Sequence, residues 1–177
     1  VGLRVVINFT ENNGELHHGH FQFRSSILQN EYKKALFATE NILAQFHSKT
    51  MYPIWGFGAL HKGTERRIFE LEGRERGVLG FLNAYRDFWN TPYTQGTDPS
   101  FVEIICKASQ RAFLDEKERN ERSAPLSHYS ILLILTARHV RDSDDAANAL
   151  RNAAKAPLSI LIVGMGDNER NFAELET

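Results

Sequence analysis

The sequence predicts an open α/β sheet with helices on both faces. Residues 129–136 (YSILLILT) are apolar without alternation, a pattern typical of a parallel strand that is covered on both sides. Residues 158–163 (LSILIV) repeat that pattern after a helical segment. Strand and helix patterns alternate along the chain, with connections long enough for crossovers between parallel strands. The length of 177 residues suits one domain, which we expect to occupy residues 1–177.

The first half of the chain contains patterns for three strands and two helices. Residues 3–9 are a β-branched run with a turn-rich exit. A helix is expected to follow from the capping residue Asn30, because apolar residues then recur at helical spacing. Residues 51–58 predict a strand closed by glycines, and residues 67–71 predict a short edge strand, because its neighbours are charged. A second amphipathic helix is marked by Val78, Leu82, Tyr85 and Trp89.

The second half of the chain predicts one helix on either side of the strand at residues 129–136. The first begins after residues 91–98, with Pro99 in its first turn. Its expected inner face consists of Phe101, Ile104, Ile105, Ala108 and Ala112. The charged residues 115–122 are typical of a solvated helix end and loop. The second helix is expected at residues 143–156, with an inner face formed by Ala146, Leu150 and Ala153.

The overall charge gives no reason to expect binding to nucleic acid or to anionic lipid. Lys and Arg total 21 against 22 Asp and Glu, so the formal net charge is −1. No apolar run approaches the roughly 18–20 residues that span a bilayer, and no signal peptide opens the chain. Cys106 is the single cysteine, which excludes an intramolecular disulfide. We expect it to be buried as part of the apolar run at residues 101–106.

The loops at the carboxyl ends of the strands are where an open parallel sheet binds its ligands. These loops are residues 8–13, 95–100 and 136–142, and each is rich in oxygen-bearing side chains. The glycine-rich turn that binds dinucleotides is missing after the first strand, since residues 9–14 contain one glycine. The chain also has neither a Walker-type sequence nor a GxSxG nucleophile elbow. A Rossmann-like enzyme is therefore an alternative rather than the main expectation.

Three further patterns suggest chemistry but have simpler interpretations. The GxG pairs at residues 56–58 and 164–166 are expected to permit tight exits from strands. The histidines at positions 17, 18 and 20 have no cysteine beside them, and we expect a solvated loop rather than a zinc site. The acidic residues near the start of the last helix complement its dipole and lack the spacing of a calcium loop; they are Asp142, Asp144 and Asp145.

An ordered series of segments resembles the A-like domain of copines. Residues 129–136 match the copine sequence YYILLILT nearly residue for residue. The order of the segments is kept, and the similarity extends over almost the whole chain. The other segments that resemble copines are residues 30–32 (NEY), 52–59 (YPIWGFGA), 77–85 (GVLGFLNAY) and 156–166 (APLSILIVGMG).

This resemblance implies a von Willebrand A-like, Rossmann-like fold: an open, mostly parallel sheet with one antiparallel edge strand and helices on both faces. It implies a longer parent protein, with two calcium-dependent, phospholipid-binding C2 domains before this module. Contact with a membrane would then belong to the C2 domains. It also implies that this chain lacks the last strand and helix of the family's domain. Copine A-like domains recruit target proteins, so the resemblance implies a cytoplasmic protein-binding role, with recruitment to membranes through the parent protein.

The same resemblance points to a metal site whose ligands have changed. A-type domains bind Mg²⁺ or Mn²⁺ through a DxSxS motif after the first strand, a loop threonine and a later aspartate. Copines resemble this pattern with DxTxS. Here the first motif is formed by Asn8, Thr10 and Asn12, so an amide stands where the leading carboxylate would be. The loop threonine is matched by Thr97 or, in ungapped register from the following helix, by Pro99.

The later metal-binding motif has also lost its carboxylate. Copines resemble the A-type pattern here with LTDG, whereas this chain has Ala137 after Thr136. Mg²⁺ sheds its water reluctantly and is usually held by at least one carboxylate. We therefore expect no cofactor, and at most weak binding of Mg²⁺ or Mn²⁺. Contacts with a partner are expected instead from polar residues around this crevice, namely Glu11, Asp98, Ser100, Arg138 and Asp142.

The sequence thus predicts a non-enzymatic protein-binding domain of a copine-like protein, with a degenerate metal-ion-dependent adhesion site. Two alternatives stay open. One is the Rossmann-like enzyme. The other is the substrate-recruiting domain of a RING ubiquitin ligase, because some plant ligases resemble copines in a domain that precedes their RING finger. This segment contains no RING cysteines.

Overall fold

The computed structural model describes residues 2–10, 31–43, 53–61, 64–71, 77–89, 93–96, 100–121, 129–136 and 143–164. The strands are β1 (Gly2–Asn8), β2 (Ile54–His61), β3 (Thr64–Leu71), β4 (Tyr93–Gln95), β5 (Ser130–Thr136) and β6 (Leu158–Gly164). The helices are α1 (Glu31–Leu43), α2 (Gly77–Trp89), α3 (Phe101–Glu121) and α4 (Ser143–Ala153).

These strands form one sheet in the order β3-β2-β1-β5-β6. Strands β2, β1, β5 and β6 are parallel to one another, and β3 pairs antiparallel with β2 at the edge. The edge position agrees with the charged sequence of β3. The fold class that the sequence predicts, a mostly parallel von Willebrand A-like sheet with one antiparallel edge strand, is therefore confirmed.

The sheet has a hydrophobic core on each face because alternate residues of its strands point to opposite sides. Leu3, Val5 and Ile7 of β1 join one core cluster together with residues of α1 and α2. Val6 joins the other cluster, which α3 and α4 cover. The expected inner face of α3 is confirmed in full, since its buried residues are Phe101, Ile104, Ile105, Ala108 and Ala112.

Strand β4 has no counterpart among the strands that the sequence predicts. It pairs antiparallel with β2 at Ala59–His61. The pairing of β1 with β2 ends at Asn8 and Phe57, so β4 takes up the side of β2 that β1 has left. Backbone donors and acceptors in a sheet need partners, and this short strand supplies them where β1 does not. Three residues are too few to leave a recognisable pattern in the sequence.

Three burial predictions were wrong, each for a geometric reason. Cys106 is exposed, because successive residues of a helix point about 100° apart and it follows the buried Ile105 on α3. Leu150 on α4 is likewise exposed and sits beside the buried Ala149. Strand β6 is only partly buried, with Leu161 46% exposed, since β5 is its partner within the described part of the sheet.

Candidate functional site

The carboxyl ends of β1 and β5 lie side by side and bring two polar residues together. The parallel register pairs Ile7 with Leu135, which places the next residues, Asn8 and Thr136, at the same edge of the sheet. Thr10 follows two residues after Asn8. All three polar side chains are buried, with at most 1% of each residue exposed. Buried polar groups need hydrogen-bond partners, and these residues supply them to one another.

The carboxamide of Asn8 forms three hydrogen bonds within this group. Its Nδ2 donates to Oγ1 of Thr136 at 3.1 Å. Its Oδ1 accepts from the backbone N–H of Thr10 at 2.9 Å and from the Thr10 hydroxyl at 2.8 Å. A single side chain therefore joins the end of β1, the segment that follows it and the end of β5.

Two glycines fit the neighbouring backbone closely around Thr10. Gly58 in β2 has φ +73°, and a Cβ there would lie 2.1 Å from Cγ2 of Thr10. The N–H of Gly96, just after β4, donates to the carbonyl oxygen of Gly58 at 2.8 Å. A Cβ on Gly96 would approach that oxygen to 2.9 Å. The chain after β4 and the chain after β1 thus both approach β2 closely at Gly58, and the first of these approaches also requires glycine at position 96.

The sequence interpretation of residues 56–58 was wrong. These glycines do not close the strand, because β2 continues to His61. Gly56 instead lies under an aromatic ring, where a Cβ would come within 2.3 Å of Phe69. The second glycine, Gly58, makes room for Thr10. The GxG pair is therefore a packing feature of two positions in the middle of a strand.

Phe9, which lies between Asn8 and Thr10, anchors this segment to β2 and to the aromatic core. Its backbone N–H donates to the carbonyl oxygen of Phe57 at 2.9 Å. Its ring is fully buried, and its centroid lies 4.6 Å from that of Phe88 and 5.8 Å from that of Phe69. This anchoring to the aromatic core leaves the Asn8 and Thr10 side chains little freedom to move apart.

The structure brings together some of the predicted site residues and leaves others undescribed. Asn8 and Thr10 are in contact, and Ser100 lies half-buried immediately before α3. Gly96 and Thr136 complete the arrangement and belong to the expected segments 95–100 and 136–142, whereas the sequence did not reveal the part of Gly58. The remaining predicted residues lie outside the described part of the chain; they are Glu11, Asn12, Thr97, Asp98, Arg138 and Asp142.

The described residues contain no group of three or more His, Cys, Asp and Glu side chains that could hold a metal ion. None of the helices they form is both long enough and apolar enough to cross a membrane.

Comparison with known proteins identifies the family. The copine family model matches residues 21–177. The chain belongs to the copine family. Copine-B of Dictyostelium discoideum is 28% identical over 177 residues, an alignment that covers 94% of this chain and 31% of that protein. Nicotinic receptor-associated protein 1 of Caenorhabditis briggsae is 27% identical over 173 residues and is covered to 26% of its length.

This copine-family chain therefore spans about a third or less of the length of these two relatives. Among solved structures, manganese-loaded TRAP protein of Plasmodium vivax superposes with a TM-score of 0.49 and 13% sequence identity. That superposition covers 98% of this chain and 61% of the TRAP chain.

Proposed function

We propose that this chain is a non-enzymatic protein-binding domain of a copine-like protein, and that its crevice is held together by hydrogen bonds instead of by a divalent cation. The observation on which this depends is the carboxamide of Asn8, which bridges Thr10 and Thr136 in a buried position. In the metal-binding version of this site, a cation would connect the same two strand ends.

The described residues do not suit Mg²⁺ or Mn²⁺. An amide oxygen has two lone pairs, and Oδ1 of Asn8 already accepts two hydrogen bonds from Thr10. Its Nδ2 presents hydrogens, which repel a cation, toward Thr136. A carboxylate about 4 Å from a divalent ion would contribute roughly 8 kcal/mol at an effective dielectric constant of about 20. The amide at Asn8 and the methyl at Ala137 each forgo that attraction.

A protein partner fits this domain better than a small substrate. The most buried polar side chains at the carboxyl edge bond to one another, so chemistry on a substrate has no reactive group among them. One copine-family relative is named as associated with the nicotinic receptor, which is consistent with protein binding. We assign the contact surface, which we call the rim of the crevice, to Ser100 and to residues 11–13, 97–99 and 137–142; of these, Ser100 lies in the described part of the chain.

We assign membrane contact to parts of the parent protein outside this chain. The relatives are about three times longer than the matched region, which leaves room for C2 domains that bind phospholipid in the presence of calcium. The formal net charge of −1 gives this domain no general attraction for anionic lipid or nucleic acid. The proposed compartment is the cytoplasm, with recruitment to membranes through the longer protein.

A thermal-shift titration with Mg²⁺, Mn²⁺ and Ca²⁺ tests the metal-free crevice. We expect millimolar metal to leave the Tm of the wild-type chain unchanged. The double variant Asn8→Asp with Ala137→Asp should gain at least about 2 °C in the presence of Mg²⁺, because a bound ligand stabilises the folded state. Asn148→Asp is the matched control, since this exposed amide on α4 lies away from the crevice. A metal-dependent rise in the Tm of the wild type would contradict the proposal.

Affinity capture from a cell lysate tests the partner surface. The same proteins should be retained in EDTA and in Mg²⁺, and Ser100→Arg should lose them because it blocks the rim. Arg119→Glu, an exposed change near the other end of α3, should retain them. Capture that requires the cation would overturn the metal-free crevice, whereas capture that is indifferent to Ser100→Arg would overturn the assigned surface.

A further inference from the structure

The first part of helix α3 is packed against the core, whereas its last part has no fully buried residue. Its buried apolar residues run from Phe101 to Ala112 and pack in the core beneath it. No residue from 113 to 121 is fully buried. Phe113 and Leu114 are 44% and 49% exposed, and residues 117–121 are all exposed. The last two turns of the helix thus lack the apolar contact that holds the first part.

A buried ion pair attaches this outer part of α3 to the sheet. Nη2 of Arg4 on β1 contacts Oδ2 of Asp115, and Nη1 of the same guanidinium donates to Oγ of Ser130 at 3.0 Å. Arg111 on α3 adds a second guanidinium, with its Nε 3.0 Å from Oδ1 of Asp115. The side chains of Arg4 and Asp115 are only 6% and 13% exposed. Nearer the start of the helix, the ammonium group of Lys107 also contacts the sheet, 4.7 Å from the ring centroid of Trp55 on β2, so the ion pair is the contact that holds the outer part of α3.

We infer that residues 113–121 of α3 form a latched segment, which opens locally without unfolding of the sheet, and that the pair of Arg4 and Asp115 is the latch. Helix ends with few buried apolar contacts open at lower free energy than the core to which they are attached. The pair resists this opening, because the departure of Asp115 would leave the buried guanidinium of Arg4 without its carboxylate. The closed state therefore dominates, and opening uncovers Arg4 and Ser130 at the amino end of the strands, opposite the Asn8 crevice.

Native-state hydrogen exchange on the unmodified chain in low urea tests the local opening. The amides of residues 116–121 should exchange through a local opening. The free energy of this opening should depend only weakly on urea, because the opening exposes little surface to solvent. The amides of β1 and β5 should exchange only with global unfolding, which depends steeply on urea. Identical urea dependence for the helix end and the strands would overturn the latched segment.

The variant Asp115→Asn tests the latch itself, because it keeps the shape of the side chain and removes its charge. Exchange of residues 116–121 should become faster by about tenfold or more, since breaking a buried ion pair on one side is strongly destabilising. Exchange at residues 104–108 should change much less. Lys117→Gln is the control, because its partner Glu121 lies 4.0 Å away and both side chains are exposed, so exchange should stay within about twofold. Equal acceleration along all of α3 and in β1 would show that the pair belongs to the global core, which would overturn the inference.

Discussion

Nδ2 of Asn8 donates a hydrogen bond to Oγ1 of Thr136 at 3.1 Å, and this bond joins two neighbouring parallel strands at their carboxyl ends. The other end of the same carboxamide accepts two hydrogen bonds from Thr10. An aspartate could accept those two bonds but could not donate to Thr136. The amide therefore connects the end of β1, the segment after it and the end of β5 directly through hydrogen bonds.

The variant Asn8→Ala should destabilise the chain by about 2–4 kcal/mol. It removes the three hydrogen bonds and leaves the N–H of Thr10 and the hydroxyl groups of Thr10 and Thr136 buried without this partner. Urea unfolding followed by circular dichroism measures the change. Asn148→Ala removes an exposed amide and should cost less than about 0.5 kcal/mol. A small effect of Asn8→Ala, equal to that of the control, would show that the carboxamide does not hold the two strand ends together.

The variant Gly58→Ala should destabilise the chain by two separable effects, backbone strain and a steric clash. Position 58 has a φ of +73°, which costs a residue with a Cβ about 1–2 kcal/mol. The new Cβ would also overlap Cγ2 of Thr10, 2.1 Å away. Thr10→Ser removes that methyl group and keeps the hydroxyl that bonds to Asn8, so the double variant should recover the steric part but not the backbone part. A double-mutant cycle from urea unfolding measures the recovery, and strictly additive free energies would exclude the contact.

The sheet could be predicted because its strongest signals are continuous runs of apolar residues. Residues 129–136 and 158–163 are apolar without alternation, and both became parallel strands of the sheet. The inner face of α3 also followed from helical spacing. The exposure of Leu150 and Cys106 could not be predicted from these patterns. Whether an apolar residue of a helix is buried depends on which neighbouring elements pack against that side of the helix.

The sequence drew attention to Asn8 and Thr10 but did not predict the hydrogen bonds between them. The resemblance pointed to Asn8 and Thr10 as remnants of metal ligands, whereas the structure makes them hydrogen-bond partners of each other. Gly58 was interpreted as a strand exit, because its role depends on the approach of Thr10 from the segment that follows β1. The ion pair of Arg4 and Asp115 was missed because 111 residues separate its members along the chain.

Single substitution of Arg4 should cost far more stability than replacement of the whole ion pair. Arg4→Met removes the partner of Asp115 on the sheet but leaves Arg111 beside the carboxylate, and we expect a loss of about 2–3 kcal/mol. In Arg4→Met with Asp115→Leu, apolar side chains take both positions, and most of that loss should be recovered. Urea unfolding provides the free energies. If the double variant is as unstable as the single one, the guanidinium contributes through contacts other than Asp115, with Ser130 as the first to examine.

The thiol of Cys106 should react with an aromatic disulfide reagent in the native protein. The side chain is exposed on α3, although the sequence led us to expect burial. Because exposure rather than unfolding then controls access, we expect the native rate to lie within about tenfold of the rate in concentrated urea. One equivalent should be labelled, since the chain has one cysteine.

Cys106→Ser should abolish labelling and leave the midpoint of unfolding unchanged, because an exposed thiol contributes little to packing. Protection by several orders of magnitude would mean that reaction needs global unfolding, and that α3 turns this side chain toward the core instead of toward solvent.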